Sequence, residues 1–407
     1  MRWWRCLLCL AMGMPGGTAA AAAQTAVIDS LLMAHRYEIG VSGGRLSGRG
    51  VRWLHDALAG AQFVVLGESH NEAEIPQFTA ALYEALRESS GFRYVAFENG
   101  PTAMEGIAAT AASGGRDSAD AWAGRYRNAL QFWTDQEVDA IARIVAAEGE
   151  DGVWGLDQEW GALHLLDRLA RVAATARARG AVERVRERVA PIEAGRTENG
   201  RPRYISSADA LVDADSLRDA FQAAPGSEAA VLIERLALSA RIYGLRRGRV
   251  GFYDSNELRE RSMKTAFMRR YRAAQSTGDT LPHVIVKFGH VHSVDGRNQS
   301  DVLALGSFLS QFALSNGRRS FHIAIYGLNE PGRHWTLSDY EDYAPVTRAS
   351  RIDGWTLLDL RPIRAWVSAD RIEGLNETLR DVILGFDAVL VIGGLTRGTR
   401  DRISAVR

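Results

Sequence analysis

Cysteine is nearly absent from this chain of 407 residues, and the few cysteines lie close to its start. The two cysteines are Cys6 and Cys9, and both fall within a segment that has the anatomy of a secretory signal. If that segment is removed, the mature protein contains no cysteine. A disulfide framework, a thiolate nucleophile and a cysteine-ligated zinc centre are then excluded from the mature protein.

An excess of charge of either sign is also absent. The chain has 49 basic and 49 acidic residues, and loss of Arg2 and Arg5 with the leader changes these numbers to 47 and 49. A near-neutral protein gives no reason to expect nucleic acid or an anionic membrane surface as a partner. Repeats of solenoid period and low-complexity tracts beyond the leader are missing as well. The composition is that of a globular domain with a sizeable core.

The leader occupies residues 1–23. It combines the basic start Met1–Arg5, the apolar centre Cys6–Ala11 and the small residues Thr18–Ala23. This order predicts a signal peptide, although a membrane anchor or a disordered tag has the same composition. The mature chain, residues 24–407, is therefore expected to be periplasmic or secreted, without stable membrane insertion after cleavage.

Short apolar runs that end in polar residues predict the fold class. Four of them are Phe63–Leu66, Arg93–Phe97, Val153–Leu156 and His283–Phe288, and runs of this kind are typical of buried parallel strands. We expect an α/β fold with a mostly parallel central sheet flanked by helices. The first two strands are separated by a helix at Pro76–Arg87, which predicts a βαβ unit in which they are parallel neighbours.

A long stretch without strand patterns, about residues 161–275, predicts a helical insertion that caps one edge of the sheet. Its helical segments are Leu163–Ala178, Ala229–Leu245 and Asn256–Tyr271, with a turn-rich, charged stretch at Glu183–Asp215. Before the first strand, a helix is expected at Ala26–His35 and a turn-rich connector at Gly40–Gly50. The mature chain is expected to form a single α/β domain that contains this insertion.

The polar residues after the predicted strands are carboxylates and histidines. They are Glu68 and His70, then Glu98, then Asp157, and finally His290 and His292. Because the carboxyl ends of parallel strands share one edge of a sheet, we expect these side chains to meet in one site.

Two mechanisms suit such a site. A histidine held by a carboxylate can take a proton from water that attacks an ester, amide or lactone carbonyl, while a second histidine or an arginine assists at the oxyanion and leaving group. Alternatively, two histidines and one or two carboxylates can bind a divalent metal that acidifies the water. Ser69 is a poor nucleophile candidate, because the nucleophile elbow requires glycine where this chain has Asn71.

Four short motifs together resemble the erythromycin esterase-like superfamily. They are Leu66-Gly-Glu-Ser-His-Asn71, Phe97-Glu-Asn-Gly100, the Arg-x-Arg-Ser-Met pattern of Arg259–Met263, and Gly289-His-Val-His292. The superfamily looks related to ChaN-type haem-binding lipoproteins and to the TraB/TIKI group. The resemblance covers about residues 61–305, and the helical insertion matches poorly.

In its esterase branch, the resemblance implies an α/β fold with a helical lid and hydrolysis without a metal or other cofactor. His70 would be the general base, Glu98 its carboxylate partner, and His290 and His292 would assist at the carbonyl or leaving group, with Glu68 in the same catalytic set. Asn99, Asp157 and Arg261 would contact the substrate, a small molecule or a peptide.

The other branches imply different functions for the same residues. A TIKI-like protein would be a metal-dependent peptidase that uses Glu68, His70, Glu98 and the later histidines. A ChaN-like protein would bind haem or iron without catalysis. The second half of the chain does not match a macrolide esterase, so the antibiotic substrate does not carry over.

Overall fold

The computed structural model describes most of the chain, and the predicted leader at residues 1–23 lies outside the described part. The described residues are 27–194, 204–246, 249–329, 336–372 and 375–405.

Nine strands form one mixed sheet in the order β2-β1-β8-β9-β7-β3-β6-β4-β5. The six strands from β9 to β5 in this order are parallel to one another, whereas β8, β1 and β2 pair antiparallel at the other end. The prediction of an α/β fold with a mostly parallel sheet is confirmed. The strands are β1 (Arg36–Ser42), β2 (Arg45–Ser47), β3 (Ala61–Glu68), β4 (Tyr94–Phe97), β5 (Val153–Gly155), β6 (Val284–Gly289), β7 (Arg319–Gly327), β8 (Trp355–Asp359) and β9 (Ala388–Ile392).

Helices cover both faces of this sheet. The described helices are α1 (27–34), α2 (Gly50–Leu58), α3 (Glu74–Ser90), α4 (Pro101–Arg125), α5 (Asp135–Glu148), α6 (Leu163–Val172), α7 (Ala176–Ala194), α8 (Asp209–Phe221), α9 (Glu228–Leu245), α10 (Arg249–Ser276), α11 (His290–Ser293), α12 (Leu305–Ser315), α13 (Ala344–Ala349), α14 (Arg361–Ser368), α15 (Glu377–Gly385) and α16 (Asp401–Ala405). None of the helices within the described ranges combines the length and the apolar character needed to cross a membrane.

The central strand β3 is buried on both faces. Val64 and Leu66 belong to the apolar core against α3, α4 and α5, whereas Phe63 and Val65 belong to the core against α10 and α12. Successive side chains of a strand point to opposite faces, so an uninterrupted apolar run is what a sheet covered by helices on both sides requires. The polar residues that follow such a strand are therefore confined to its end.

The strands β3 and β4 are parallel but are not neighbours, contrary to the prediction. Strand β6 lies between them, with Phe63 of β3 and Tyr94 of β4 both paired with Val284. The two strands of the βαβ unit are therefore separated by β6, a strand that comes almost two hundred residues later in the chain. As a consequence, the histidines after β6 lie between the polar ends of β3 and β4.

The turn-rich connector predicted at Gly40–Gly50 is wrong in part, because it contains a β-hairpin. Strand β1 pairs antiparallel with β2, and Gly43 and Gly44 between them have φ angles of 58° and 75°. Such left-handed backbone is readily adopted by glycine, and it is what a two-residue hairpin turn requires.

The region predicted as a helical insertion consists of helices in its described parts. Helices α6 to α9 surround a separate apolar core that contains Leu166, Val185, Leu217 and Leu236. The helix predicted over Leu163–Ala178 is instead two helices, α6 and α7, and the stretch predicted as turn-rich at Glu183 is helical to Ala194. The burial of Val182, Val185 and Val189 at helical spacing explains why this charged stretch folds as a helix.

Candidate active site

Glu68 and His70 form a hydrogen-bonded pair at the end of β3. The Nδ1 atom of His70 lies 3.0 Å from Oε1 of Glu68, and the other carboxylate oxygen lies 2.7 Å from Nζ of Lys287. Burial raises the pKa of the Glu68 carboxyl, but the Lys287 ammonium and the His70 imidazole outweigh it, so the pKa is lowered overall. An ionised carboxylate only accepts hydrogen bonds, so Nδ1 donates and the neutral imidazole carries its lone pair on Nε2.

Lys287 joins Glu68 to a second buried carboxylate, that of Glu137. The Nζ atom lies 3.1 Å from Oε2 of Glu137. Burial and the nearby Glu68 charge raise the pKa of Glu137 despite the lysine, while the pKa of Glu68 is lowered. The sequence analysis missed Lys287, although a lysine inside an otherwise apolar parallel strand is an available signal, because lysine is almost never fully buried without a partner.

Glu98 lies at the centre of the site, immediately after β4. Its Oε2 atom accepts a hydrogen bond from the backbone N–H of Gly289 at 2.7 Å and lies 3.7 Å from Nε2 of His70. Its Oε1 atom lies 3.6 Å from Nε2 of His292 and accepts a hydrogen bond from Arg259 at 2.8 Å. Burial opposes ionisation, but the two histidines, Arg259 and the Gly289 N–H prevail and lower the pKa of Glu98 to about 2.

His292 is held between two glutamates. Its Nδ1 atom lies 2.7 Å from Oε1 of Glu260 on α10, which also accepts a hydrogen bond from the Asn298 side chain at 3.3 Å. The Glu260 contact turns Nε2 of His292 towards Glu98. Sequence reasoning did not find Glu260, because it lies within helix α10 and does not follow a predicted strand.

Arg259 makes the ion pairs that connect Glu98 with Asp157. Its Nη2 atom bonds to Oε1 of Glu98, and its Nε and Nη2 atoms bond to the two oxygens of Asp157 at 2.9 and 2.6 Å. Asn99 is buried nearby and accepts a hydrogen bond from the backbone N–H of Gln131 at 2.8 Å, so its side chain orders a neighbouring loop. Asp157 and Asn99 therefore lie beside the site and contact protein groups.

Arg261, the arginine proposed from the sequence, points away from Glu98. Its side chain is 70% exposed and pairs with Glu257, whereas the side chain of Arg259 is 14% exposed. Helical spacing would have distinguished them, because Arg259 lies four residues before Met263, which is fully buried, and so shares its face of α10. Arg261 is two residues further on and lies on a different face.

His290 occupies the side of the site opposite to His292. Its ring stacks on Tyr326 with a centroid distance of 4.3 Å, and it hydrogen bonds to the backbone of Ile325. Nε2 of His290 has no hydrogen-bond partner among the described groups. Burial, followed by repulsion from His70 whenever His70 is protonated, lowers the pKa of His290 to about 4. His290 is therefore neutral at physiological pH.

We expect His290 to make the protein less stable as the pH falls. Its pKa is 6.5 ordinarily and about 4 in the folded state, so the unfolded chain binds more protons in this interval and is favoured by acid. The urea concentration at the midpoint of unfolding should decrease as the pH is lowered from about 6.5 to about 4.5. In the His290→Gln variant this decrease should be shallower. Parallel pH-dependent slopes in the two proteins would contradict the assigned shift. Below this window, protonation of Glu98 adds a separate loss.

Two glycines allow the histidines to approach the strands. A Cβ atom on Gly289 would lie 2.8 Å from Nε2 of His70, and one on Gly67 would lie 3.3 Å from Cδ2 of His290. The first contact is too close for any residue other than glycine at this position.

The ring of Phe132 stacks on the His70 ring with a centroid distance of 3.4 Å. Phe132 itself has a φ angle of 56°, which is a strained conformation for a bulky residue.

The structure thus brings Glu68, His70, Glu98, His290 and His292 together at one edge of the sheet. Within the described residues, no group of three or more histidine, cysteine, aspartate or glutamate side chains is arranged to hold a metal ion. Glu68 is instead paired with Lys287, and Glu98 with Arg259.

The fold is similar to solved structures at low sequence identity. No protein-family model and no curated protein matches the sequence. A protein from Bacillus cereus is 15% identical with a TM-score of 0.57, and a succinoglycan biosynthesis protein is 14% identical with a TM-score of 0.58; each alignment covers 92% of this chain and 98% of the other. A mutant of the erythromycin esterase EreC, in its open conformation, is 15% identical with a TM-score of 0.51, covering 89% of this chain and 98% of the esterase. At these identities the likeness shows the fold, which is shared with an esterase.

Proposed function

We propose that this protein is an exported hydrolase that activates water with His70 for attack on an ester or amide carbonyl. The observation that carries the proposal is the orientation of His70. Glu68 holds Nδ1, which leaves the basic Nε2 atom facing the Glu98 carboxylate. A base held in this way by a carboxylate is the arrangement that general-base catalysis needs.

The nucleophile would lie between His70 and Glu98. The 3.7 Å separation of Nε2 and Oε2 is too long for a direct hydrogen bond but short enough for one oxygen atom to contact both. A water molecule there would donate one proton to each acceptor and keep a lone pair for the carbonyl carbon. His70 would take the proton and then deliver it to the leaving group.

The ionised groups around His70 favour this proton transfer. The lowered pKa of Glu68 keeps a negative charge beside the imidazolium that forms, and Glu98 remains ionised on the other side. Each negative charge favours the positive charge that develops on the imidazole during proton transfer. Lys287 and Arg259 hold these two carboxylates in place and have no part in the proton transfer itself.

His290 would serve as a hydrogen-bond acceptor for the substrate. Since its Nε2 atom is without a partner in the described structure, the Ile325 contact belongs to Nδ1. Nδ1 then donates to the backbone, and the neutral ring presents the Nε2 lone pair to the site. His292, tied to Glu260 and facing Glu98, would orient the central carboxylate.

The direct test is an activity panel on the purified protein. Esters, lactones and amides are offered with and without a metal chelator, and an absorption spectrum is recorded for bound haem. We expect hydrolysis of at least one ester or amide that persists in chelator. Chelator-sensitive cleavage of peptides would indicate the metal-dependent peptidase instead, and a Soret band without hydrolysis would indicate the haem-binding function. Export is tested separately by fractionating cells that express the full chain.

A further inference from the structure

A cavity that includes Asp157 in its wall lies between α9, α10 and the loop after β5. Its volume is about 280 Å³. Apolar side chains form much of its lining, and three arginines also line it. The apolar residues are Pro101, Leu156, Leu238, Leu258 and Ala266, and the arginines are Arg235, Arg261 and Arg269.

The two carboxylates in this cavity are already occupied by protein groups. Asp157 accepts hydrogen bonds from two nitrogen atoms of Arg259. Glu159 accepts a hydrogen bond from the backbone N–H of Thr102 at 2.7 Å and pairs with His164 at 3.0 Å. The charge of Arg235 helps to lower the pKa of Glu159, but among the described ion pairs Glu159 joins His164 and Asp157 joins Arg259.

The arginines around the cavity outnumber the acids that pair with them. Glu105 alone pairs with Arg168, Arg235 and Arg270, at 2.6, 3.1 and 3.1 Å. Arg168 is also paired with Glu228. Together with Arg269, this cluster has four positive charges against the three negative charges of Glu105, Glu228 and nearby Glu159, so it carries an excess of one positive charge.

Two guanidinium groups retain unused hydrogen-bonding capacity. Among the described residues Arg269 has no ion pair or hydrogen bond, and the buried Nε atom of Arg235 has no acceptor. Partial burial and the like charges of Arg235 and Arg270 lower the pKa of Arg269, and Glu105 offsets this only in part. Arg269 therefore stands in an unfavourable field that a bound anion would relieve.

We propose that this cavity binds a small organic anion, such as a carboxylate, sulfonate or phosphate monoester attached to an apolar body. The apolar lining accommodates the body, and the guanidinium groups of Arg235 and Arg269 donate hydrogen bonds to the oxygen atoms of the charged group. Asp157 in the cavity wall holds Arg259, which in turn holds Glu98, so two ion pairs connect the cavity wall with the catalytic carboxylate.

The test is to titrate the full-length protein with benzenesulfonate and to measure the heat of binding by isothermal titration calorimetry. This probe cannot be hydrolysed at an ester or amide bond, so its binding is measured independently of the proposed reaction. We expect it to bind more tightly than neutral benzyl alcohol or inorganic sulfate, and its affinity to fall as the salt concentration rises. Equal affinities for benzenesulfonate and benzyl alcohol would overturn the proposal.

Two variants separate the charge of the cavity from its shape. Arg269→Gln removes an exposed guanidinium without a described partner, and should weaken benzenesulfonate binding by about tenfold or more. Thr265→Trp fills the cavity from an exposed position and should weaken binding to a similar extent. The matched control is Arg272→Gln, an exposed arginine on the same helix that does not line the cavity.

The thermal midpoint of Arg269→Gln should equal or exceed that of the unaltered protein, because the substitution removes a like-charge contact. This readout separates lost binding from lost folding. Wild-type affinity in folded Arg269→Gln, or in folded Thr265→Trp, would show that the anion does not bind here.

Discussion

Replacement of His70 by alanine is expected to abolish hydrolysis while leaving the fold intact. General-base catalysis contributes about 10²- to 10⁴-fold, so kcat/KM should fall by at least this factor on whichever ester or amide the panel identifies. The thermal midpoint should change little, because His70 lies at a strand end outside the apolar cores and Glu68 keeps its contact with Lys287. Steady-state kinetics and thermal unfolding of the same preparations measure both quantities.

The matched control is His55→Ala. The His55 side chain is 60% exposed on α2, away from the strand ends, so this variant should retain full activity. Near-normal turnover by the His70 variant would remove His70 from the mechanism. Equal losses in both variants would show that the assay responds to general damage rather than to the site.

Replacement of Arg259 by methionine is expected to have the largest effect on stability. Methionine keeps most of the apolar volume of the side chain but leaves Glu98 and Asp157 without their cationic partner. Both carboxylates are almost fully buried, so the free energy of unfolding should fall by about 3–5 kcal/mol. Hydrolysis should also be lost, because Glu98 would no longer be held beside His70. Urea denaturation monitored by tryptophan fluorescence gives the free energy.

Two further proteins make this experiment specific. Arg261→Met removes the same charge two residues later on α10, where the side chain is largely exposed, and should change the free energy of unfolding by less than about 0.5 kcal/mol. The double variant Arg259→Met, Asp157→Asn should be less destabilised than Arg259→Met alone, because one of the two stranded charges is gone. Identical stability losses at positions 259 and 261 would contradict the ion-pair assignment.

The positions of the strand-end groups were predictable from the sequence because their local patterns are strong. Phe63–Leu66 is an unbroken apolar run, and such a run in a sheet covered on both faces leaves Glu68 and His70 at its end. The same argument applied to Glu98, Asp157, His290 and His292. Parallel strands then direct these residues to a common edge without any knowledge of the strand order.

Other parts of the site depend on helix faces and on partners that are distant in the chain. Arg261 was expected to face the site from its helix, but residues two apart on a helix point in different directions, and the structure places Arg259 at the site instead. Lys287 and Glu137 form an ion pair across 150 positions of sequence, and nothing near either residue identifies the other.

The amino-acid sequence was sufficient for the fold class and for the chemical groups of the site, since both follow from periodicity and from the polar residues that end each apolar run. Three-dimensional folding was needed to establish which groups touch. Strand β6 enters between β3 and β4, and helix α10 brings Arg259 and Glu260 to the same edge. Such contacts depend on the packing of segments that are distant in the chain, and local sequence patterns do not show which distant segments pack together.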